Sequence, residues 1–332
     1  MPIEGLSSHI SYEAPEEQEA MPQQQAETTA ESSTPLHLAA VDDPPLTVSA
    51  SKESIDNNTA ALIVTRTIRR GIAEKSTKQM LERGEIWREY DRGPVHSIRA
   101  LSAVNMSRLR KKLGTLTDDE KAFMDRALRV PYYGTHFTKK TLTPDRSGAV
   151  ALFSREKLLQ RRISFDHGNT MGIDREVVGN DDSVFFSLEP GETPQKQRSR
   201  FGPNRLRVPL NQPVFQQTAW LSLKDMAVNL PAYYRKLPWL TFREQRLLTK
   251  KGHGPDHVFF GKDMIPGMLL TLISDARELG ENSRKQVLNA KTDEDINTLI
   301  NGFYKPEIKV PKQLITTEFV FDSPTQARLS DD

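Results

Sequence analysis

The stretch Tyr132–Leu159, YYGTHFTKKTLTPDRSGAVALFSREKLL, decides the fold. Its first half is rich in aromatic and β-branched residues, and it predicts a β-strand that carries His136 and ends near Thr138. A polar loop that contains Lys139 follows this strand. The glycine at Gly148 then predicts a turn before a second ordered segment, LFSREKLL.

The chain after this stretch alternates short strand-like runs with helical runs. Five runs predict strands: DDSVFFSLEPG (181–191), NRLRVPL (204–210), DHVFFGKD (256–263), EIKVP (307–311) and LITTEFVFD (314–322). Two runs predict helices: 264–279, with Pro266 near its first turn, and 292–304, which closes near Gly302. Short strands separated by helices and loops predict an α+β fold.

The chain before this stretch is predicted to be helical over residues 59–129. Its apolar residues recur at helical spacing, and Gly71 and Gly84 are the expected interruptions. Thr117 and Glu120 have the spacing of a capping box, which predicts a helix that begins there and continues through Ala127.

Charge divides the chain into an acidic tail and a basic body. Residues 1–51 contain nine acidic residues and no Lys or Arg, so the remainder carries a net charge of +11. The tail is also rich in Gln, Ser, Thr and Pro, which predicts disorder over residues 1–57. We expect a helical subdomain at 58–129, an α+β domain at 130–322 and a flexible end at 323–332. The basic body would attract polyanions, nucleotides or acidic proteins.

Several classes of protein are excluded by composition and by missing motifs. The chain has no Cys, which removes disulfides, thiolate metal sites and cysteine nucleophiles. No Sec signal is visible, and no apolar run is long enough to span a membrane. Phosphate-binding glycine loops, zinc-protease motifs and nucleophile elbows are absent from the sequence. His253 and His257 lie four residues apart, but the glycines and proline around them disfavour a helix, so we expect no metal site.

Taken in order, these segments resemble an ADP-ribosyltransferase fold with a split β core. In that fold the first strand ends in His or Arg together with a small hydroxyl residue. The pattern HFT…L…G…LFSR…L within Tyr132–Leu159 is particularly similar to the OspC/CopC family of type III secreted effectors, which are NAD-using arginine ADP-riboxanases. The resemblance covers roughly residues 130–320.

The resemblance implies where NAD would bind. The end of the first strand would hold the adenosine ribose and the nicotinamide amide, and the aromatic strand would pack a phenylalanine on the nicotinamide. Phe185 and Phe186 point to opposite faces of a strand, so only one of them can do this. The implied NAD contacts are His136, Phe137, Thr138, Lys139, Leu142, Phe185, Phe186 and Ser187.

The resemblance also implies the catalytic residues. Glu307, at the head of EIKVP, matches the transferase glutamate that stabilises an oxocarbenium-like transition state. Glu318 and Asp256 are its rivals. At a strand end that faces a cleft, such a carboxylate is expected to support little packing. Asp166 and Asp174 would orient and activate the acceptor arginine, whose guanidinium otherwise stays protonated; they could equally cap turns.

The chain departs from that family in two respects. The family continues into ankyrin repeats that help to bind substrate, whereas this sequence shows no ankyrin pattern. The choice of host target therefore does not transfer. The residue two positions after the transferase glutamate is often His in the family, and here it is Lys309. This change affects the riboxanation step more than NAD binding.

The resemblance implies a transferase (glycosyltransferase or lyase) that is delivered by type III secretion and acts in the host cytoplasm as a virulence factor. Residues 223–251 combine Trp239 and several Leu residues with Arg and Lys, a pattern typical of calmodulin targets. Host calmodulin is therefore an expected activator, although the same apolar residues could belong to the core. Two alternatives stay open: a non-enzymatic effector that binds a host protein on a degenerate transferase fold, and a nucleic-acid-binding protein, for which no motif is present.

Overall fold

A computed structural model describes residues 57–165, 172, 174–196, 199–226 and 237–322, with side chains from residue 65 onward. The expected N-terminal tail, the C-terminal end and Asp166 lie outside these residues. The described residues belong to one compact unit. No helix within the described residues is both long and apolar enough to cross a membrane.

Four helices come first: α1 (Asn57–Arg83), α2 (Glu85–Arg88), α3 (Ile98–Leu113) and α4 (Asp118–Arg129). The helical prediction for this region is confirmed, but the interruption expected at Gly71 is wrong, because α1 continues through it. Gly71 has open space around it, so the helix incurs only the small conformational cost of a glycine. Gly84 does separate α1 from α2, and a Cβ there would lie 2.4 Å from the carbonyl oxygen of Val178.

The predicted capping box at the start of α4 is confirmed. The backbone N–H of Glu120 donates to the Thr117 hydroxyl at 3.3 Å, and the Thr117 N–H donates to the Glu120 carboxylate at 2.9 Å. Glu120 also accepts from Arg277 and Arg284 at 2.6 and 2.9 Å. The bond with Arg277 is the largest of the interactions that lower the pKa of Glu120, to about 2, despite the opposing effect of burial. The same residue therefore caps α4 and ties it to the later helices.

The central sheet has seven strands and is antiparallel at every pair. Its spatial order is β6 (Val258–Phe260), β5 (Trp220–Ser222), β7 (Glu307–Pro311), β3 (Ser183–Pro190), β1 (Tyr132–Thr138), β4 (Asn204–Pro209) and β9 (Val320–Asp322). A separate two-stranded sheet pairs β2 (Val150–Phe153) with β8 (Gln313–Thr316). The predicted α+β class is confirmed.

The remaining helices are α5 (Arg155–Gln160), α6 (Pro213–Thr218), α7 (Phe242–Thr249), α8 (Met264–Ala276), α9 (Glu281–Leu288) and α10 (Asp293–Phe303), together with a π-helical turn at Asp174–Val178. The helices predicted at 264–279 and 292–304 are present as α8 and α10. The run 314–322, predicted as one strand, is divided between β8 and β9, which belong to different sheets. Strand β5 was not predicted, since only three residues of it pair.

The two faces of the central sheet have different surroundings. One face carries Phe186, Leu206 and Ile308 and belongs to the main hydrophobic core, to which α4, α8 and α10 also contribute. A smaller cluster forms between helices α1 to α3 and the β5–β6 edge of the sheet. In that cluster the ring of Trp87 lies edge-on to Trp220, with centroids 5.8 Å apart. Helices α1 to α3 therefore cover the β5–β6 end of the other face of the sheet.

Candidate active site

Five neighbouring strands place one residue each at the same level of the sheet. Ser222 lies opposite Glu307, Glu307 opposite Ser187, Ser187 opposite Thr135, and Thr135 opposite Arg207. Directly opposed residues of an antiparallel sheet project to the same face. A carboxylate, three hydroxyls and a guanidinium therefore share one row. We call the face that carries this row the polar face.

Glu307 is held in this row by a buried lysine. The Lys309 ammonium lies 3.1 Å from the Glu307 carboxylate and 2.5 Å from the Ser222 hydroxyl. It also lies 4.8 Å from the centre of the Trp220 ring. The Lys309 side chain is 1% exposed, whereas that of Glu307 is 33% exposed. The carboxylate thus has an anchored side and an open side.

The other end of the row fixes a loop above the sheet. The Thr135 hydroxyl donates to Glu189 at 2.8 Å, and Glu189 also accepts from the backbone N–H groups of Gln195 and Lys196. Arg207 donates to two carbonyl groups of the same loop, at residues 191 and 192, each at 2.5 Å. Since these carboxylate and guanidinium groups are buried, the loop that follows β3 is fastened over the polar face.

The two aromatic candidates on β3 separate as the alternation of a strand requires. Phe185 lies opposite Lys309 on the polar face and is half-buried. Phe186 lies opposite Ile308, is 2% exposed and packs against Phe215 with ring centroids 5.6 Å apart. Phe186 is therefore a core residue, and Phe185 is the one that a ligand on the polar face can reach.

His136 does not share a face with Glu307. It follows Thr135 on β1, so its ring projects to the core side, where it lies 5.6 Å from the ring of Phe186. Its Nδ1 pairs with the backbone carbonyl of Phe185 at 2.9 Å. Burial lowers the pKa of His136, against the smaller effect of that hydrogen bond. The structure thus places His136 behind the polar face, in contact with the backbone that carries Phe185.

The other predicted contacts near the end of β1 are dispersed. Phe137 is 6% exposed and projects to the polar face, with the Lys196 ammonium 5.4 Å from its ring centre. The Thr138 hydroxyl accepts from a backbone N–H two residues later, at 3.0 Å, at the end of the strand. Lys139 is exposed beyond the strand, and Leu142 packs on the main core. Of these residues, Phe137 is the one whose side chain lies on the face that carries Glu307.

Of the two predicted aspartates, Asp174 lies among the described residues. Asp166 lies outside the described residues. Asp174 opens the π-helical turn, and its backbone carbonyl accepts from the N–H of Gly179 at 3.0 Å. The turn reaches Val178, whose carbonyl accepts the indole N–H of Trp87 at 2.8 Å. Asp174 thus lies in a turn that packs against α1 and α2.

The rival carboxylates lie elsewhere. Asp256 precedes β6, where it accepts hydrogen bonds from Tyr90 and Arg108. It therefore fastens the early helices to the edge of the sheet. Glu318 is exposed in the connection between β8 and β9, where it contributes its backbone to hydrogen bonds with Gln212 and Thr316. Glu307 is the candidate that lies on a central strand.

The segment 223–251 gives the calmodulin expectation no support. Residues 227–236 lie outside the described residues. In the remainder, Leu240 and Leu248 are 4% and 1% exposed and belong to the main core, and Trp239 packs against that core. Among the described large apolar residues of this segment, Phe242 is the exposed one, at 75%.

One groove formed by described residues lies apart from the row. No group of three or more His, Cys, Asp or Glu suited to a metal occurs among the described residues. A groove of about 260 Å³ lies between α1, α6 and β8. Its lining includes Arg66, Arg69, Val214 and Ile315 but none of the row residues.

Four residues of the site were not anticipated from sequence: Thr135, Arg207, Ser222 and Trp220. Thr135 is next to His136, so the strand alternation would have identified it once the face of Glu307 was known. Ser222 and Trp220 lie in TAWLSL, a short run without a clear alternation of apolar and polar residues, which is a weak signal for a strand.

Comparison with known proteins gives one informative relative. No protein-family model matches the chain. The sequence is 20% identical over 283 residues to the arginine ADP-riboxanase CopC of Chromobacterium violaceum, an alignment that covers 76% of this chain and 57% of the relative. The chain thus spans little more than half the length of that protein. The match supports a distant relationship and suggests a related enzyme.

Proposed function

We propose that this protein is an NAD-dependent enzyme that transfers ADP-ribose to an arginine of a host protein. The observation that carries the proposal is the row Ser222–Glu307–Ser187–Thr135 on the polar face. The distant similarity to an arginine ADP-riboxanase selects this chemistry from those that a carboxylate and hydroxyls could perform. The α+β architecture, an antiparallel sheet with helices, is consistent with an ADP-ribosyltransferase-like fold.

The residues of the polar face suit the two reacting parts of NAD. The open side of Glu307 can accept hydrogen bonds from ribose hydroxyls, and the half-buried ring of Phe185 offers a surface for nicotinamide. Ser187 lies near the same level, although its hydroxyl donates to the Thr135 carbonyl at 3.2 Å. The Thr135 hydroxyl beside it is buried and donates to Glu189 at 2.8 Å. We assign to His136 the support of the Phe185 backbone in place of the ribose contact.

The proposed reaction breaks the bond between the ribose C1′ and the nicotinamide nitrogen, and both electrons leave with nicotinamide. Glu307 stabilises the positive charge that develops on the ribose. A guanidine nitrogen of the substrate then bonds to C1′ and loses its proton; Asp174 and Asp166 remain the proposed acceptors of that proton. In riboxanation, ammonia would be lost as well. Delivery by type III secretion into the host cytoplasm is part of the same proposal.

The test of this function is nicotinamide release together with the intact mass of host proteins. The purified protein is incubated with NAD and a host lysate, with and without added calmodulin. We expect nicotinamide release and a host protein that gains one ADP-ribosyl group, or that mass less ammonia. NAD consumption without any protein adduct would restrict the function to NAD hydrolysis.

A further inference from the structure

Lys309 is a buried cation whose charge needs a partner. A charged group removed from water is tolerated when it is paired and hydrogen-bonded. Among the described residues, Glu307 supplies the only carboxylate oxygen within 4.0 Å of the Lys309 ammonium. The other contacts are the Ser222 hydroxyl at 2.5 Å and the face of the Trp220 ring. The position of the ammonium is therefore defined on three sides.

The pairing uses only one oxygen of the Glu307 carboxylate. Oε2 accepts from Lys309 at 3.1 Å. Within the described residues, no hydrogen bond reaches the other oxygen, and the side chain is one-third exposed. One oxygen of the carboxylate is thus held by Lys309, and the second oxygen stays available to a ligand on the polar face.

The contacts that fix Lys309 continue into helix α2 through two tryptophans. Trp220, which stacks on the ammonium, is itself contacted edge-on by Trp87. The indole N–H of Trp87 is fixed by the carbonyl of Val178 at 2.8 Å. Trp87 and Trp220 are both completely buried, so this chain of contacts has little freedom to shift.

We propose that Lys309 is a positioning residue that fixes the Glu307 carboxylate for the transfer reaction. This inference rests on the proposed function and adds a second residue to its site. A functional group must be held within about 0.5 Å of its productive position, and a displacement of about 1 Å can cost about 100-fold in rate. Without the ammonium, the Glu307 side chain is free to rotate about bonds that the ion pair now restricts.

The test compares Lys309→Met with a matched control, Lys224→Met. Both lysines are buried, but the Lys224 ammonium donates to the carbonyls of Leu248 and Thr249 at 3.0 and 3.2 Å. We expect Lys309→Met to lower kcat by about 10- to 100-fold with the KM for NAD within about threefold of wild type. Lys224→Met is expected to change thermal stability but not kcat. A folded Lys309→Met protein with wild-type kcat would overturn the proposal.

A second variant covers the case in which Lys309→Met does not fold. Ser222→Ala removes one anchor of the ammonium and leaves both charges, so a loss of about 3- to 10-fold in kcat without a change in KM supports positioning. Wild-type kcat in Ser222→Ala would then overturn it. The proposed function is judged separately: if wild type and Lys224→Met consume no NAD, the function itself fails, whereas NAD turnover that is indifferent to Lys309 removes only the positioning role.

Discussion

Truncating Glu307 to alanine is expected to damage the fold as well as the chemistry. The substitution leaves the Lys309 ammonium, 1% exposed, without its carboxylate. Breaking a fully buried ion pair from one side costs about 3–5 kcal/mol. Since one-third of the Glu307 side chain is exposed and screened by water, we expect about 2–3 kcal/mol here. For a domain of this size that corresponds to a loss of about 4–12 °C in melting temperature.

The assay is thermal and urea denaturation of wild type, Glu307→Ala, Lys309→Met and the double variant. Replacing both members of a buried pair by neutral residues is often neutral or stabilising. The double variant is therefore expected to recover most of the stability that Glu307→Ala loses, and the four values form a double-mutant cycle. A melting temperature of Glu307→Ala within about 1 °C of wild type would refute the reasoning. So would a double variant that is no more stable than Glu307→Ala.

Further predictions concern ligand binding, packing and pH. Phe185→Ala should raise the KM for NAD several-fold with little loss of stability. Phe186→Ala empties a core position and should lower the free energy of unfolding by about 3–5 kcal/mol in a denaturation titration. Equal stability of the two variants would contradict the assignment of faces. Thr117→Ala should cost about 1 kcal/mol through the lost cap of α4, measured in the same way, and an unchanged urea midpoint would count against it. Burial lowers the pKa of His257 to about 4, so the unfolded chain binds its proton first. Stability should consequently fall as pH drops from about 6.5 to about 4, by at most about 3 kcal/mol, and His257→Gln should show a smaller decline; identical pH profiles would refute this.

Most of the secondary structure could be predicted from the sequence because local signals were strong. The capping box of Thr117 and Glu120 and the apolar run of α8 are confirmed as local features. Gly71 shows where such a signal misleads, since a single glycine costs a helix only about 1 kcal/mol and does not by itself end it. The division of 314–322 between two sheets could not be seen, because register and sheet membership depend on distant partners.

The candidate site could be predicted only in part. Glu307 and the pair Phe185–Phe186 were identified by their strand patterns and by the resemblance, and the sheet register then decided between the two aromatic rings. His136 was expected on the ligand side, but the one-residue offset from Thr135 sends its ring to the core. The burial of Lys309 could not be anticipated, since a lysine on a strand is more often exposed. The ion pair with Lys309 replaces the expectation that Glu307 supports little packing by the prediction that its removal destabilises the fold.

The most direct test of the central claim measures nicotinamide release and the mass of host proteins with three variants in parallel. Glu307→Gln keeps the side-chain shape and an oxygen that can accept from Lys309, while removing the charge that would stabilise the ribose. We predict that it loses at least about 100-fold in turnover while its NAD affinity changes much less, and that Glu318→Gln and Asp256→Asn retain turnover. Wild-type turnover in Glu307→Gln would contradict the assignment of Glu307 as the catalytic carboxylate. A wild-type protein that neither binds nor consumes NAD in a host lysate containing calmodulin would contradict the proposed function and favour an effector that acts by binding alone.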